Sequence, residues 1–256
     1  MPSGTDDATA PDPGGSGRGP ERVAAIVSAK DEEERLGATL AALARISVVD
    51  LVVVVDDGST DGTLRVANLA GVQTVKHQVN MGKAQAMTSG ATAVSLLEAE
   101  VGGAFQSDTP RALLFVDADL EESAVNLDLL CVPVVTGEAD MAIATLPPQR
   151  TAGGGFGFVV SMAREGITQL AGRTMNQPLS GMRCITREAF DAALPLATGW
   201  GVEVGLTVDV LRNRGRVVEV PVELHHRVTG RGPKAQLHRM RQYRDVARAL
   251  KVRERS

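Results

Sequence analysis

Three stretches of this chain are apolar at nearly every position and stop abruptly at acid or turn residues: "RVAAIVSA" (22–29), "DLVVVVD" (50–56) and "RALLFVDAD" (111–119). A strand with one wet face alternates apolar and polar side chains, so a run without alternation belongs in a sheet covered on both faces. Helical periods lie between these runs. "KDEEERLGATLAALA" puts Leu36, Leu40 and Leu43 on one face, and Asp31 followed by Glu34 reads as a capping box. "TLRVANLAG" is a helix closed by Gly71, "VQTVK" a third short strand, and "GKAQAMTSGATAVSLLEAE" a longer helix. Strand–helix alternation with short links predicts an α/β domain on a mostly parallel central sheet flanked by helices. Ligands of such sheets sit beyond the carboxyl ends of the strands. That is where this chain places Asp56 and Asp57, and again Asp117 and Asp119. Two acidic strand ends repel each other, so a positive or donor-rich group is expected between them.

The second half is less regular. "EADMAIATL" reads as a strand and "TAGGGFGFV", with Gly153–Gly155, as a loop. "VVSMAREGITQLAG" and "VEVGLTVDVLRNRG" read as helices, the latter ended by Gly215, and "RVVEVPVEL" as a strand. Residues 1–20, rich in Gly, Pro, Ser and Asp, form an expected disordered leader without signal-peptide character. A domain over 21–230 follows, then a basic amphipathic helix over 231–256 with Leu237, Met240, Tyr243, Val246 and Leu250 on one stripe.

Charge and composition exclude some functions. The net charge is −4, and one Trp, one Tyr and five Phe give little stacking surface, so no nucleic-acid partner is expected. From His225 onward, however, ten Lys/Arg (Arg227, Arg231, Lys234, Arg239, Arg241, Arg244, Arg248, Lys251, Arg253, Arg255) face two acids, Asp245 and Glu254, which suits an anionic partner. Cys131 and Cys184 lack metal-site spacing and read as buried thiols of a reducing compartment. No apolar run is long enough for a membrane-spanning helix.

Four motifs carry chemistry. In "VDAD", carboxylates at i and i+2 share a face, and a divalent ion between them relieves their repulsion; hard oxygen ligands favour Mg²⁺ or Mn²⁺. A solvated turn is the plain alternative. "NMGKAQAM" sets Asn80, Gly82 and Lys83 at a helix start, where backbone N–H groups and an ammonium suit a phosphate, although the first glycine of the Walker loop is missing. "SAKDEEE" and "DDGSTD" offer acceptors for a base N–H and ribose hydroxyls. Asp61 or Ser59 would equally serve as helix caps.

In this order the four stretches resemble family 2 glycosyltransferases and their relatives with the GT-A fold, over roughly residues 22–228. Ser28 stands where that pattern has proline, and Asp31 where it has asparagine. The resemblance implies a nucleotide site of Ser28, Ala29, Glu32, Asp57, Lys83 and Asp117, with Asp57 on the base, Glu32 on the ribose and Lys83 on the diphosphate. It implies Asp119, supported by Asp117, as ligand of Mg²⁺ or Mn²⁺. "PLSGMRCITREAF" and "GWGVEVGLTVDVLRNRGRVVEVPVELHHRVTGR" are similar to two groups. Glucosyl-3-phosphoglycerate synthases imply His226 as a further metal ligand, Glu203 with Asp119 as catalytic residues, and Gly181, Arg183, Arg227 and Arg231 around the acceptor. Polyprenyl-phosphate sugar transferases carry "SGFR", "EVP" and a terminal Arg-x-x-Gly-x-Ser-Lys stretch, which here read "SGMR", "EVP" and "RVTGRGPK", with Pro233 in place of their serine.

The expected activity is thus metal-dependent transfer of glucose or mannose from a UDP- or GDP-sugar donor to a polar, phosphorylated small acceptor such as a glycerate phosphate. The alternatives are a lipid-phosphate acceptor at a membrane surface, or nucleotide binding without catalysis. A sugar-nucleotide pyrophosphorylase is disfavoured, because "SAKDEEE" has no glycine loop. A cytoplasmic enzyme is expected, with peripheral contact at the inner membrane face under the lipid reading, and a homodimer is compatible with the chain.

Overall fold

The computed structural model describes residues 19–146, 157–225 and 233–255, with the backbone alone for 233–239. The expected leader, apart from Gly19 and Pro20, and the Gly153–Gly155 loop lie outside these residues. The first half runs β1 (Val23–Ala29), α1 (Leu36–Leu43), β2 (Val49–Asp57), α2 (Thr63–Leu69), β3 (Gln73–His77), α3 (Lys83–Ala99), β4 (Ala112–Asp117). A 3₁₀ turn (Glu121–Leu127) leads to α4 (Asp128–Val135), β5 (Met141–Thr145), α5 (Gly157–Ala171), β6 (Arg183–Ile185) and α6 (Arg187–Ala192). A second 3₁₀ turn (Gly199–Gly201) precedes α7 (Val202–Arg212), β7 (Val217–Pro221) and α8 (Pro233–Arg253).

The strands form one seven-stranded sheet in the order β3-β2-β1-β4-β6-β5-β7. Only β6 runs antiparallel to its neighbours. The non-alternating runs now have their cause. Ala24, Ile26, Val53, Val55, Leu113 and Phe115 face one core, shared with α3, α5, α7 and α8. Val23, Ala25, Val27, Val54, Leu114 and Val116 face the other, shared with α1, α2 and α4. Each such side chain contributes about 1.5–3 kcal/mol by leaving water, so both faces must stay covered.

Register then sets the acids. Ser28 lies opposite Val55 on one side and Asp117 on the other, and Ala29 lies opposite Asp56. All the strand-end acids therefore reach the same edge. The strands β2 and β4 flank β1, about 10 Å apart at the usual strand spacing.

Several expectations are corrected. The Asp31–Glu34 capping box does not form. Helix α1 starts later, behind Arg35, and without a side-chain cap. Asp31 instead adopts φ 55° and turns toward the next loop. Helix α7 ends at Arg212, and Arg214, at φ 64°, makes the left-handed turn ahead of Gly215. The short β6, α4 and α6 were not foreseen. In α8 the apolar stripe divides: Val246 and Leu250 are buried in the core, whereas Met240 is 70% exposed and Tyr243 stacks on Phe158 with ring centroids 5.5 Å apart. Arg253 is buried and paired with Asp209.

Helix α3 lies unusually close to β1. A Cβ on Gly90 would overlap Ile26 Cγ2 and press on Val55 Cγ2 at 3.2 Å. Gly90→Ala is expected to destabilise the fold by about 1–3 kcal/mol, the usual cost of overpacking. A denaturant midpoint lowered at unchanged m-value checks it.

Candidate active site

The loops after β1 and β2 are stitched together by the acids of "SAKDEEE" and "DDGSTD". Asp31 Oδ1 accepts from Thr60 N–H at 2.7 Å, and Asp31 N–H donates to Ser59 Oγ at 3.0 Å. Glu32 N–H donates to Thr63 Oγ1 at 2.8 Å, and Glu33 accepts from Gly62 N–H at 2.8 Å. Asp61 does not cap α2 as considered: the N-cap is Gly62, without a side-chain cap, and Asp61, one residue earlier, accepts from Thr63 N–H at 3.0 Å and Glu33 N–H at 3.1 Å. The Glu32 carboxylate accepts from Arg35 at 3.2 Å. Hydrogen bonding to the Thr60 backbone, with Lys30 alongside, holds the Asp31 carboxyl below its ordinary range. Ser28 is half-buried and Ala29 buried, closing β1 between the two acidic strand ends.

Asp56 is buried and accepts from Ser59 N–H at 3.0 Å. Gly58 needs its φ of 72°, and a Cβ there would meet the backbone of Val79 and Asn80 at 2.7 Å. This close approach brings the β3–α3 loop against β2. Asp57, 6% exposed, accepts from Met81 N–H and Gly82 N–H, both at 2.8 Å, and meets His77 Nδ1 at 2.8 Å. Burial works against its charge, but His77 and the two backbone donors prevail and keep the carboxyl below its ordinary range. The expected base contact thus sits on a carboxylate already engaged with three protein donors.

The centre of the site is a charge cluster. Lys83 Nζ lies 2.7 Å from Asp117 Oδ1 and 3.6 Å from Glu203 Oε1. Burial opposes the Lys83 charge, yet the two carboxylates outweigh it and raise its pKa above the ordinary value. Glu203, 8% exposed in the first turn of α7, has the opposite outcome. There burial prevails over Lys83 and Arg183, and the carboxyl is pushed up. A Cβ on Gly181 would collide with Lys83 Nζ and push the ammonium from its present place.

Arg183, expected around the acceptor, is buried and bonded within the protein. It is 1% exposed, and its donors reach Ser180 O at 2.9 Å, Thr207 Oγ1 at 2.8 Å and Pro178 O at 3.2 Å. Burial pulls its pKa down to about 10, Glu203 and Glu219 opposing, so it stays charged at neutral pH. Its role is that of a buried counter-charge beneath Glu203.

The Asp117–Ala118–Asp119 turn is bolted to α1. Buried Thr39 donates to Ala118 O and accepts from Glu121 N–H, both at 2.8 Å. The chain after β7 docks beside it: His225 N–H donates to Ser123 Oγ at 3.1 Å, and Glu223 O accepts from Asn126 at 2.9 Å. His226, Arg227 and Arg231 lie outside the described residues. Among the described residues no group of three or more His, Cys, Asp or Glu forms a complete metal cluster. The half-buried carboxylates of Asp117 and Asp119, held on one rigid turn, do fit a hard divalent ion whose remaining ligands come from a bound phosphate.

Sequence reasoning missed Thr39 and His77. Thr39 had one signal, a polar residue on the apolar face of α1. His77 had none beyond standing at a strand end.

Comparison with known proteins bears on the family and the fold. Residues 24–150 match the family model described as Glycosyl transferase family 2. Glucosyl-3-phosphoglycerate synthase of Mycolicibacterium paratuberculosis is 27% identical over 243 residues, covering 85% of this chain and 68% of the relative. The structure of the Mycobacterium tuberculosis glucosyl-3-phosphoglycerate synthase with phosphoglyceric acid is 25% identical, with a TM-score of 0.69 over 91% of this chain and 80% of that one. A second structure of that enzyme, with Mn²⁺, UDP-glucose and phosphoglyceric acid, has the same identity and TM-score and covers 91% and 79%.

The raised Glu203 pKa has a consequence for stability. The folded chain binds this proton more tightly than the unfolded chain, so stability rises as pH falls through the raised value. Above the ordinary carboxyl range the buried Glu203 therefore costs stability. Glu203→Gln is expected to melt higher at pH 7, by roughly 2–4 °C for each kcal/mol relieved. The gap should close toward pH 4, which a pair of melting curves at the two pH values checks.

Proposed function

We propose, from the premise that this chain is a nucleotide-sugar-dependent glycosyltransferase of the family 2 type with a GT-A fold, that it moves glucose from UDP-glucose to the hydroxyl of a phosphoglycerate. The observation that carries the reading is the Lys83 ammonium held between Asp117 and Glu203. It brings the cation that opens α3, the acid that ends β4 and a buried carboxyl from the second half of the chain to one point at the sheet edge.

Each residue then has a task. Lys83 has three N–H donors; one serves Asp117, which leaves donors for the departing diphosphate. Asp119 and Asp117, with His226 proposed as a third ligand, would hold Mg²⁺ or Mn²⁺. That ion supplies charge neutralisation at the leaving diphosphate. Glu203, with its raised pKa, is suited to take the proton of the acceptor hydroxyl. Glu32 and the backbone at Ser28 and Ala29 line the end of β1 where the ribose is proposed to lie. Arg227 and Arg231 remain the proposed cations for the acceptor phosphate.

One observation favours a second reading. Met240, Tyr243 and Phe158 are exposed beside the exposed Arg241, Arg244 and Arg248, a face that suits an anionic lipid surface and hence a polyprenyl-phosphate acceptor. A buried carboxyl next to Lys83 is of no use to such an acceptor, which is already ionised, so the hydroxyl acceptor is preferred. Among the described residues no helix is long and apolar enough to cross a membrane.

The test is UDP release from UDP-glucose with Mn²⁺ and 3-phosphoglycerate, run beside GDP-mannose and beside polyprenyl phosphate in vesicles. Release is expected with UDP-glucose and phosphoglycerate and to stop on chelation with EDTA. Lys83→Ala should lower kcat/KM by about 10²–10³. Gly181→Ala, which displaces the ammonium without opening a cavity, should lower it by roughly tenfold or more at little change in melting temperature. No turnover with any donor and acceptor pair overturns the proposal.

A further inference from the structure

Asp57 ends a hydrogen-bond relay that the proposed reaction does not by itself call for. Its Oδ1 meets His77 Nδ1 at 2.8 Å, His77 Nε2 meets Ser89 Oγ at 2.9 Å, and Gln85 Nε2 donates to that hydroxyl at 3.3 Å. An ionised carboxylate can only accept, so Nδ1 carries the ring proton. The other ring nitrogen, Nε2, shares a hydrogen bond with the Ser89 hydroxyl, which is able to donate or accept. Gln85, Ser89, His77 and Asp57 thus form one continuous chain of hydrogen bonds, and bonds linked in this way strengthen one another.

Serine, histidine and aspartate in this order also describe an activated nucleophile. Here His77 is 8% exposed, its ring wedged between β2 and α3, and the serine hydroxyl already accepts from Gln85. The relay holds position; it does not present a nucleophile.

Two consequences meet at Asp57. Its carboxylate offers about four lone-pair positions. His77 and Met81 N–H take two on Oδ1 and Gly82 N–H takes one on Oδ2. One position on Oδ2 is left for a base N–H. The same carboxylate also grips the loop from which Lys83 starts α3.

We propose that His77 is a positioning residue of the donor site: tied to Ser89, it fixes the plane of the Asp57 carboxylate, and with it both the acceptor offered to the nucleobase and the loop that presents Lys83. The inference rests on the donor site described under the proposed function. It predicts that the donor and not the acceptor feels the loss of His77.

Three variants separate positioning from plain packing. In His77→Asn the side-chain amide can take the place of Nδ1 and keep a donor toward Asp57. His77→Gln keeps a group near Ser89 and loses the donor to Asp57. His77→Phe keeps the ring volume and loses both. UDP binding with Mn²⁺ is read by calorimetry, and initial rates are read with UDP-glucose and 3-phosphoglycerate. His77→Phe and His77→Gln should weaken UDP binding and raise the KM for UDP-glucose by about tenfold or more, the loss expected for a bond to a charged group. The acceptor KM should stay within twofold, and His77→Asn should recover most of the donor affinity. Equal loss in the Asn and Gln variants, or lowered melting temperatures with unchanged donor KM, overturns the inference. Wild-type protein that binds no uridine nucleotide refutes the donor-site reading beneath it; wild type that binds, with all three variants binding equally well, refutes the inference alone.

Discussion

The ion pair between Lys83 and Asp117, with Glu203 as its third member, is the constraint around which the site is arranged. These residues open α3, end β4 and open α7, so elements far apart in sequence must converge to within a side chain's reach. An unpaired buried charge costs several kcal/mol. Lys83 and Arg183 against Asp117 and Glu203 give a cluster with no net charge, which makes its burial tolerable. The packing around it serves that convergence. Gly90 lets α3 sit down on β1, Gly181 leaves space for the ammonium, and Arg183 lies beneath Glu203, held by Thr207 of the same helix.

The strand-end acids might have shared one cation, but the structure gives each its own partners. Asp56 takes the Ser59 amide, Asp57 takes His77 with the Met81 and Gly82 amides, and Asp117 takes Lys83. Because the acids of β2 and β4 stand on either side of β1, they are neutralised separately, and each loop is fixed by its own acid. The carboxylates thus act first as structural acceptors that shape the loops, and only their remaining lone pairs are open to a ligand. Asp119 belongs to the same scheme, since the turn that carries it is held by Thr39 from α1.

Much of this was legible in the sequence, for a definite reason. Fully covered strands leave uninterrupted apolar runs, so β1, β2 and β4 could be read with their acidic ends, and Lys83 at a helix start followed from Gly82. What could not be read depends on contacts made through the fold. Three residues of β6 show no period, and its Arg183, between Met182 and Cys184, looks like any surface cation until both faces of the sheet are seen to be covered. Asp31 and Glu34 had the spacing of a capping box, but Thr60 and Ser59, from a different loop, bound Asp31 more effectively than α1 could. His77 had no local signal, because its partners Asp57 and Ser89 lie on the neighbouring strand and on the helix above it.

The basic C-terminal stretch shows how charge counted along a sequence overstates charge available to a ligand. Arg253 is spent on Asp209 and on the carbonyl of Ala249, and Arg212 on the carbonyls of Leu170 and Arg253. Arg253 and Arg212 therefore secure the helix that closes the core over α5 and α7, whereas Arg241, Arg244 and Arg248 stay exposed. The cluster of Lys83, Arg183, Asp117 and Glu203, in turn, is neutral in formal charge. Under the proposed function two anions, a nucleotide diphosphate and a phosphorylated acceptor, would have to gather at a site whose described residues offer no net positive charge at that cluster. Under that function the attraction would come from the divalent ion proposed for the Asp117–Asp119 turn. A neutral centre beside a bound cation would take its donor together with the metal and would hold Glu203 in a medium of low polarity, where a raised carboxyl pKa can be kept without losing the pair to Lys83.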